Sequence, residues 1–444
     1  MAPTSLRSTL SSLPDNAPEA VVDHHFSSHL LELLGFQSQE VHPNYPTGDG
    51  KAVDKAARKT VGDDIFLHTK SDPYLLVELK GRDCNLSSDA AQYQKTVTQL
   101  KRYLLAPNCK TAQWGIITNS CHIQLFRKHG RVIYPATQCL ALDNENADKV
   151  VASIRKKIES PSRALTVAVY NNKGGVGKTT TAVNLAAILT FLGKRVLAVD
   201  FDPNQQDLTS SLGIPLSDGG VLESLTQRDI ELLSTLHPYK FPLKRINSEL
   251  RFDVIPADKQ LVDASDDALR KLLKRNMLHK KLASARQEYD YILIDSPPNW
   301  RFFSQLAVYA ADVILIPTKH NNLFSLENAA IAIKKFFPEV QAEKGDGSPI
   351  PLPIFFNGER ITPAQLAIAQ QEIHNIIKTA KKEGFDLSSY FYPRRTTSKK
   401  DLHIPQIPSY ANIAGAAFSR KPAVYRDRYA HEYYKSLAKE YFLQ

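Results

Sequence analysis

Cysteine is scarce in this chain. Cys84, Cys109, Cys121 and Cys139 are the four in 444 residues, irregularly spaced and without a CxxC pair. That spacing excludes a disulfide scaffold and a zinc centre built on paired cysteines, and reduced thiols fit a cytoplasmic protein. Long apolar runs are missing too. The opening residues, MAPTSLRSTLSSLPDNAPEA, lack the hydrophobic core of a secretory signal. No stretch approaches the roughly 20 apolar residues of a membrane span, so a cytoplasmic location without a membrane partner is expected. There is no low-complexity tract, no short-period repeat and no recognisable helix-turn-helix, which leaves a transcriptional repressor without its usual reading helix.

What is present is ordinary globular material. Hydrophobic residues make up 43% and charged residues 23%, enough apolar surface for a packed core. A chain of 444 residues exceeds one typical core, so two domains are expected. The formal charge of +10 and pI near 9.2 suit a polyanionic partner such as nucleic acid, or else a solvated basic surface. The segment from Phe391 to Gln444 holds ten Lys/Arg (Arg394, Arg395, Lys399, Lys400, Arg420, Lys421, Arg426, Arg428, Lys435, Lys439) against four acids, interleaved with tyrosines. Either it meets DNA, or its tyrosines, Tyr433, Tyr434 and Tyr441 in particular, pack the last helix while the charges are solvated.

The pattern predicts a small α/β domain over residues 1–145, with an apolar helical run from Phe26 to Phe36, a strand pair between Asp64 and Lys80 and strand character from Trp114 to Arg127. Residues 146–163 read as a linker, a charged helical stretch ending in a Pro/Ser/Arg segment, with the domain boundary near Ser162. From 164 to 444, the runs LTVAVYN, RVLAVDF, YILIDS, DVILIPT and LPIFFN alternate with helical segments, the pattern of a doubly wound, mainly parallel sheet.

Between the first of those strands and the helix TTAVNLAAILTFL lies NNKGGVGKTTT, residues 171–181. Gly174, Gly175 and Gly177, around Val176, let backbone N–H groups curl about phosphate oxygens, and Thr180 follows in the helix whose positive end faces the same charge. Lys178 neutralises phosphate. Thr179 offers a hydroxyl to Mg²⁺, a hard ion that prefers oxygen. The expected cofactors are ATP and Mg²⁺.

Asn172 stands where an ordinary loop of this type has its first glycine, and Lys173 is an extra lysine before the glycines. This resembles the deviant Walker A loop of the ParA/MinD family of P-loop NTPases. VDFDPNQQDLTSSLG (199–213) is similar to the family's switch segment, YDYILIDSPPN (289–299) to its Walker B strand, and Lys421-Pro422 with the final helix to its closing segment. The resemblance implies that Asp202 and Asp295 act on the metal and the attacking water, and that Lys173 reaches the nucleotide of a second subunit. An ATP-dependent homodimer, DNA binding without sequence preference and a ParB-like stimulating partner follow from the same resemblance. Asn357, closing LPIFFN, either reads the adenine edge or caps its strand. The family's Asp-Pro-Gln is Asp202-Pro203-Asn204 here, followed by Gln205 and Gln206.

In the first domain, GDDIFLHTKSDPYLLVELKGRD (62–83) places an acid ahead of a strand ending Glu78-Leu79-Lys80, and alternation sets Glu78 and Lys80 on one face. Two carboxylates and a lysine so placed serve metal-dependent phosphodiester hydrolysis, or are ordinary charges on a half-exposed strand. With its surroundings the segment resembles the PD-(D/E)XK nuclease fold, in particular the N-terminal domain of type I restriction subunits. On that resemblance Glu19 is the first acidic motif, Asp64 the metal aspartate with Asp63 in place of the usual proline, Glu78 the second metal ligand, Lys80 the catalytic lysine, and Gln99 and Tyr103 the later helix motif. An ATP switch fused to a DNA endonuclease, suited to defence against foreign DNA, is one implied function. The other is a partition or positioning ATPase whose first domain only binds. His24, His25 and His29 share helical spacing but read as surface histidines rather than metal ligands.

Overall fold

In the computed structural model, residues 5–243, 248–262, 266–393, 402–408 and 411–444 are described. The chain divides into two compact units, Met1–Pro161 with Gly345–Gly347 and Phe442–Gln444, and Ser162–Lys344 with Ser348–Tyr441.

The first unit is a mixed sheet. Its strands are β1 (Val41–Pro46), β2 (Ala52–Ala57), β3 (Leu75–Leu79), β4 (Trp114–Thr118), β5 (His122–His129), β6 (Val132–Pro135) and β7 (Leu140–Ala141), with β1 to β6 side by side in chain order and β7 on β5. Only β3 and β4 run parallel, because the helix Ala91–Leu104 crosses between them; the other pairs are antiparallel. All five residues of β3 are buried, and its alternation divides two cores. Leu75, Val77 and Leu79 pack with Leu30, Val151 and Ile154 on one face, while Leu76 packs with Val97, Leu100 and Tyr103 on the other. Glu78 shares the parity of Leu76 and so faces the helix Ala91–Leu104.

Two expectations need correction here. Asp64 does not begin a strand: it closes a tight turn in an isolated bridge with Val61, the chain continues as the short helix Phe66–Thr69, and β3's antiparallel partner is β2 instead. The helix expected to start at Glu19 does so, and it takes in the apolar run from Phe26 to reach Leu33 through a π-turn at Asp23–Ser27. The stretch 146–163 is no linker. Ala147–Glu159 is a helix whose Val151, Ile154 and Ile158 are buried in the first unit's core, and the Tyr74 hydroxyl donates to the Ile158 carbonyl at 2.8 Å. Its charged outer face had masked an apolar stripe of helical period.

The second unit is wound about a sheet of seven strands. These are β8 (Leu165–Val169), β9 (Val196–Asp200), β10 (His237–Leu243), β11 (Ser248–Ile255), β12 (Tyr291–Asp295), β13 (Val313–Leu315) and, after the short β14 (Pro317–Thr318), β15 (Ile350–Pro351). Their order is β10-β11-β9-β12-β8-β13-β15, parallel except for the β10–β11 hairpin. β14 pairs with β16 (Phe355–Gly358) and β16 with β17 (Gln406–Pro408), both parallel. Each apolar run expected as a strand is one, with DVILIPT broken into β13 and β14. Separate cores lie on the two faces of the sheet. The helix Lys178–Phe191 is buried nearly all round, which explains its weak amphipathicity. Ligands in such sheets gather at the carboxyl ends of the strands, where β8, β9 and β12 deliver Asn171, Asp200 and Asp295.

Candidate functional site

The phosphate loop runs from β8 to the helix Lys178–Phe191. Gly175 and Gly177 adopt left-handed φ of +72° and +81°. A Cβ on Gly174 or Gly175 would meet nothing within 4 Å, so the loop presents bare backbone to open space. A Cβ on Gly177 would fall 2.2 Å from Asn357 Nδ2. Asn357 Nδ2 donates to the carbonyls of Val176 (3.0 Å) and Gly177 (3.2 Å) and to Thr181 Oγ1 (3.3 Å), which corrects the adenine reading: its amide nitrogen holds the loop.

Behind the loop stand three buried aspartates. Asp200 and Asp295 are register partners at the ends of β9 and β12. Asp200 accepts from the Thr209 amide (2.8 Å) and hydroxyl (2.6 Å), and burial pushes its carboxyl up to about 6. Burial likewise raises Asp202, against the pull of Lys178 and of the Gln205 amide at 3.2 Å. Asp295 is raised most by burial and next by Asp200, while Thr179 and Lys178 oppose the shift. Its Oδ1 has no hydrogen-bond partner among the described residues. Lys178 is buried, its ammonium lowered by desolvation and supported by Asp295 and Asp202, with Nζ 3.3 Å from the Lys173 carbonyl. Lys173 is half-buried. Lys178, Thr179, Asp202 and Asp295 are thus brought together as expected. Asp200 was missed, though it ends an apolar strand in the same segment. The switch departs locally: Gln206 takes φ +54°, strained backbone for a residue other than glycine.

This donor set fits Mg-ATP. Open glycines, a buried lysine, a half-buried threonine and an unpaired carboxylate oxygen are what a phosphate with a hydrated magnesium needs. Among the described residues no group of three or more His, Cys, Asp or Glu side chains is arranged to hold a metal alone, so phosphate and water would complete the shell.

A second constellation lies in the first unit. Lys80 Nζ is 2.7 Å from Glu78 Oε1 and 3.3 Å from Glu19 Oε2. Gln99 Nε2 donates to Glu78 Oε1 and, at 3.0 Å, to the Tyr103 hydroxyl. Glu78 is buried, its Oε2 without a partner among the described residues, and burial aided by Asp54 pushes it up to about 7. Burial pulls the Lys80 ammonium down, but the Glu78 carboxylate wins and its pKa lies above the usual value. Asp64 is not in this group, which corrects the metal assignment. It forms a two-pronged pair with Arg58 at 2.7 and 2.8 Å, and that guanidinium holds its carboxyl down at about 2. The carboxylate beside Glu78 belongs to Asp54 on β2, whose Oδ2 accepts from the Leu79 amide at 2.7 Å and which burial raises. Gly81 lets the helix start approach, since a Cβ there would lie 2.8 Å from the Glu19 nitrogen. His29 Nδ1 pairs with Thr9 Oγ1 at 3.0 Å and His24 packs edge-on against His25.

Of the basic C-terminal residues, Arg420, Lys421, Arg426, Arg428 and Lys439 are exposed. Tyr434 and Tyr441 are buried, as packing required, and Tyr433 is half-buried. Arg394, Arg395, Lys399, Lys400 and Tyr410 lie outside the described residues. No helix among the described residues is long and apolar enough to cross a membrane.

Residues 164–344 match the family model described as an AAA domain. The sporulation initiation inhibitor protein Soj of Bacillus subtilis (strain 168) is 37% identical over 154 residues, 34% of this chain and 57% of that protein. The chromosome partitioning protein ParA of Myxococcus xanthus (strain DK1622) is 39% identical over 154 residues, 34% of this chain and 50% of that protein. The chain therefore spans little more than half the length of these relatives. A Cyanothece McdA complex with ATP aligns at TM-score 0.47 and 20% identity, over 63% of this chain and 96% of that one. Over residues 164–344 the second unit is thus similar to ParA-like P-loop ATPases.

Proposed function

We propose that the second unit is an ATP-operated switch that binds Mg-ATP on the 171–181 loop, hydrolyses it, associates in pairs around the nucleotide and holds DNA without sequence preference. The unpaired Asp295 Oδ1 behind an open glycine loop carries this reading, because a buried carboxylate oxygen is costly unless a ligand completes it. Lys178 and the loop amides bind and orient the phosphates, Thr179 and Asp295 hold the metal's side, and Asp202 positions the water. Bound magnesium supplies charge neutralisation at the phosphates being separated. Lys173 serves the neighbouring subunit's nucleotide, and the exposed basic residues near the C-terminus supply part of the DNA contact.

The first unit is a Mg-dependent nuclease on this reading. Asp54 and Glu78 bind the metal, Lys80 steadies the charge that builds on the scissile phosphate, and Glu19 and Gln99 hold Lys80 and Glu78. Support comes from the unpaired Glu78 Oε2 and the adjacent Asp54. Such a fusion suits defence against foreign DNA. The similarity to Soj and ParA favours a second reading, in which the ATPase partitions or positions cargo with a ParB-like stimulating partner and the first unit only binds.

Supercoiled plasmid incubated with Mg²⁺, with and without ATP, separates the two. Cutting that is lost in Glu78→Ala and controlled through Lys178→Ala supports the fused nuclease. ATP-dependent, salt-sensitive DNA binding without cutting supports the partition reading.

A further inference from the structure

We propose that Asn171 is the positioning residue that sets the turn carrying Lys173, by tying that turn to the start of the helix Leu323–Ile331. The inference rests on the nucleotide-switch reading and adds a residue to it.

Asn171 is fully buried at the carboxyl end of β8. Its Oδ1 accepts the Lys173 backbone N–H at 3.0 Å. Its Nδ2 donates to the carbonyl of Pro317, in β14, at 2.9 Å and to that of Ser325 at 3.1 Å. The first contact alone is an ordinary Asx turn, which any local loop can make. The other two are not local: they reach 146 and 154 residues along the chain.

The far end of this strut is itself rigid. Ser325 N–H donates to Asn322 Oδ1 at 3.0 Å, its hydroxyl donates to the Asn322 carbonyl at 2.8 Å, and it accepts from the Lys319 amide at 2.9 Å. The near end is shared with the phosphate lysine, since the carbonyl of Lys173 receives Lys178 Nζ at 3.3 Å. One side-chain amide therefore fixes the peptide that precedes the Lys173 Cα through its N–H, while Lys178 engages the carbonyl of the peptide that follows it. The direction in which the Lys173 side chain leaves the loop follows from the orientation of those two peptides. Replacing Asn171 removes the acceptor of the Lys173 N–H and the tie to the Pro317 and Ser325 carbonyls, and the loop then settles in other turns.

A purely structural asparagine and a positioning one differ in how they combine with Lys173. Steady-state ATP hydrolysis by the full chain, with thermal unfolding alongside, is measured for Asn171→Ala, Lys173→Ala and the double variant. The inference expects Asn171→Ala to lower kcat about tenfold or more with KM for ATP nearly unchanged, and the double variant to be no worse than Lys173→Ala. Asn171→Ser, whose hydroxyl still accepts from the Lys173 N–H but cannot span to both carbonyls, keeps part of kcat and serves if Asn171→Ala does not fold. Multiplying losses in the double variant, or a loss that follows the unfolding temperature alone, overturns the inference while leaving the switch reading intact. A wild-type chain that hydrolyses no ATP overturns the switch reading and this inference with it.

Discussion

Asp54 Oδ2 accepts the Leu79 backbone N–H at 2.7 Å, which locks its carboxylate beside Glu78 across the β2–β3 pair. Asp64, ten residues on, is engaged instead with Arg58. Asp54→Asn is expected to abolish Mg-dependent plasmid cutting, and Asp64→Asn to leave it within about threefold, the range of an ordinary surface change. Equal loss in both, scored as nicked and linear product, would restore Asp64 to the site.

The difference between those two aspartates also marks what could be read from the linear chain. The phosphate loop was legible because its chemistry is local: glycines, Lys178 and Thr179 fall within a few residues between a strand and a helix. Asp54 was not, because β2 reads AVDKAA, poor in the branched and aromatic residues that announce a strand, and its pairing with β3 crosses a turn and a short helix. Ala147–Glu159 reads as helical, but its charged outer face conceals the stripe of Val151, Ile154 and Ile158 that packs it into the first unit's core. Asn357 draws notice from its place at the end of LPIFFN, but only the packing of β16 against the loop shows what its amide holds.

Glu78, pushed up to about 7 by burial, makes the metal-free first unit sensitive to pH. A carboxyl raised above its unfolded value near 4.5 contributes stability that is complete below 4.5 and is lost as pH rises through about 7. In EDTA the wild type should therefore lose, between those pH values, on the order of 2 kcal/mol relative to Glu78→Gln. Denaturant unfolding at matched pH checks this; a pH-independent difference would contradict it.

Gly177 cannot carry a side chain without displacing Asn357. Gly177→Ala combines left-handed strain of about 1–3 kcal/mol with a clash against the Asn357 amide, and should abolish ATP binding. Asn357→Ala frees that space but takes the amide from the Val176 carbonyl, while the Gly177 carbonyl keeps the Thr181 amide and hydroxyl, so affinity should fall less, about tenfold, for a loss of about 1–2 kcal/mol. Calorimetric titration with ATP and Mg²⁺ ranks the two variants. Weaker binding by Asn357→Ala than by Gly177→Ala would refute the arrangement.

Trp300 follows the Walker B strand and touches the loop through Tyr170, whose ring lies 5.7 Å away and whose hydroxyl donates to Asn172 Oδ1 at 3.1 Å. It stacks on Phe336 at 4.6 Å. With Trp114→Phe removing the other of the two tryptophans, Mg-ATP should change Trp300 emission, and Lys178→Ala should abolish the change. Unchanged emission while ATP is bound would show that Tyr170 and Trp300 do not report on the loop.

The central claim is that the loop from Asn171 to Thr181 hydrolyses ATP. Phosphate release by the purified full chain with ATP and Mg²⁺, compared with Lys178→Ala, tests it most directly. The account predicts hydrolysis in the wild type and a fall of about a hundredfold or more in the variant, the scale of losing one preorganised charge from a transition state. Equal hydrolysis by both proteins, or none by the wild type, would contradict it.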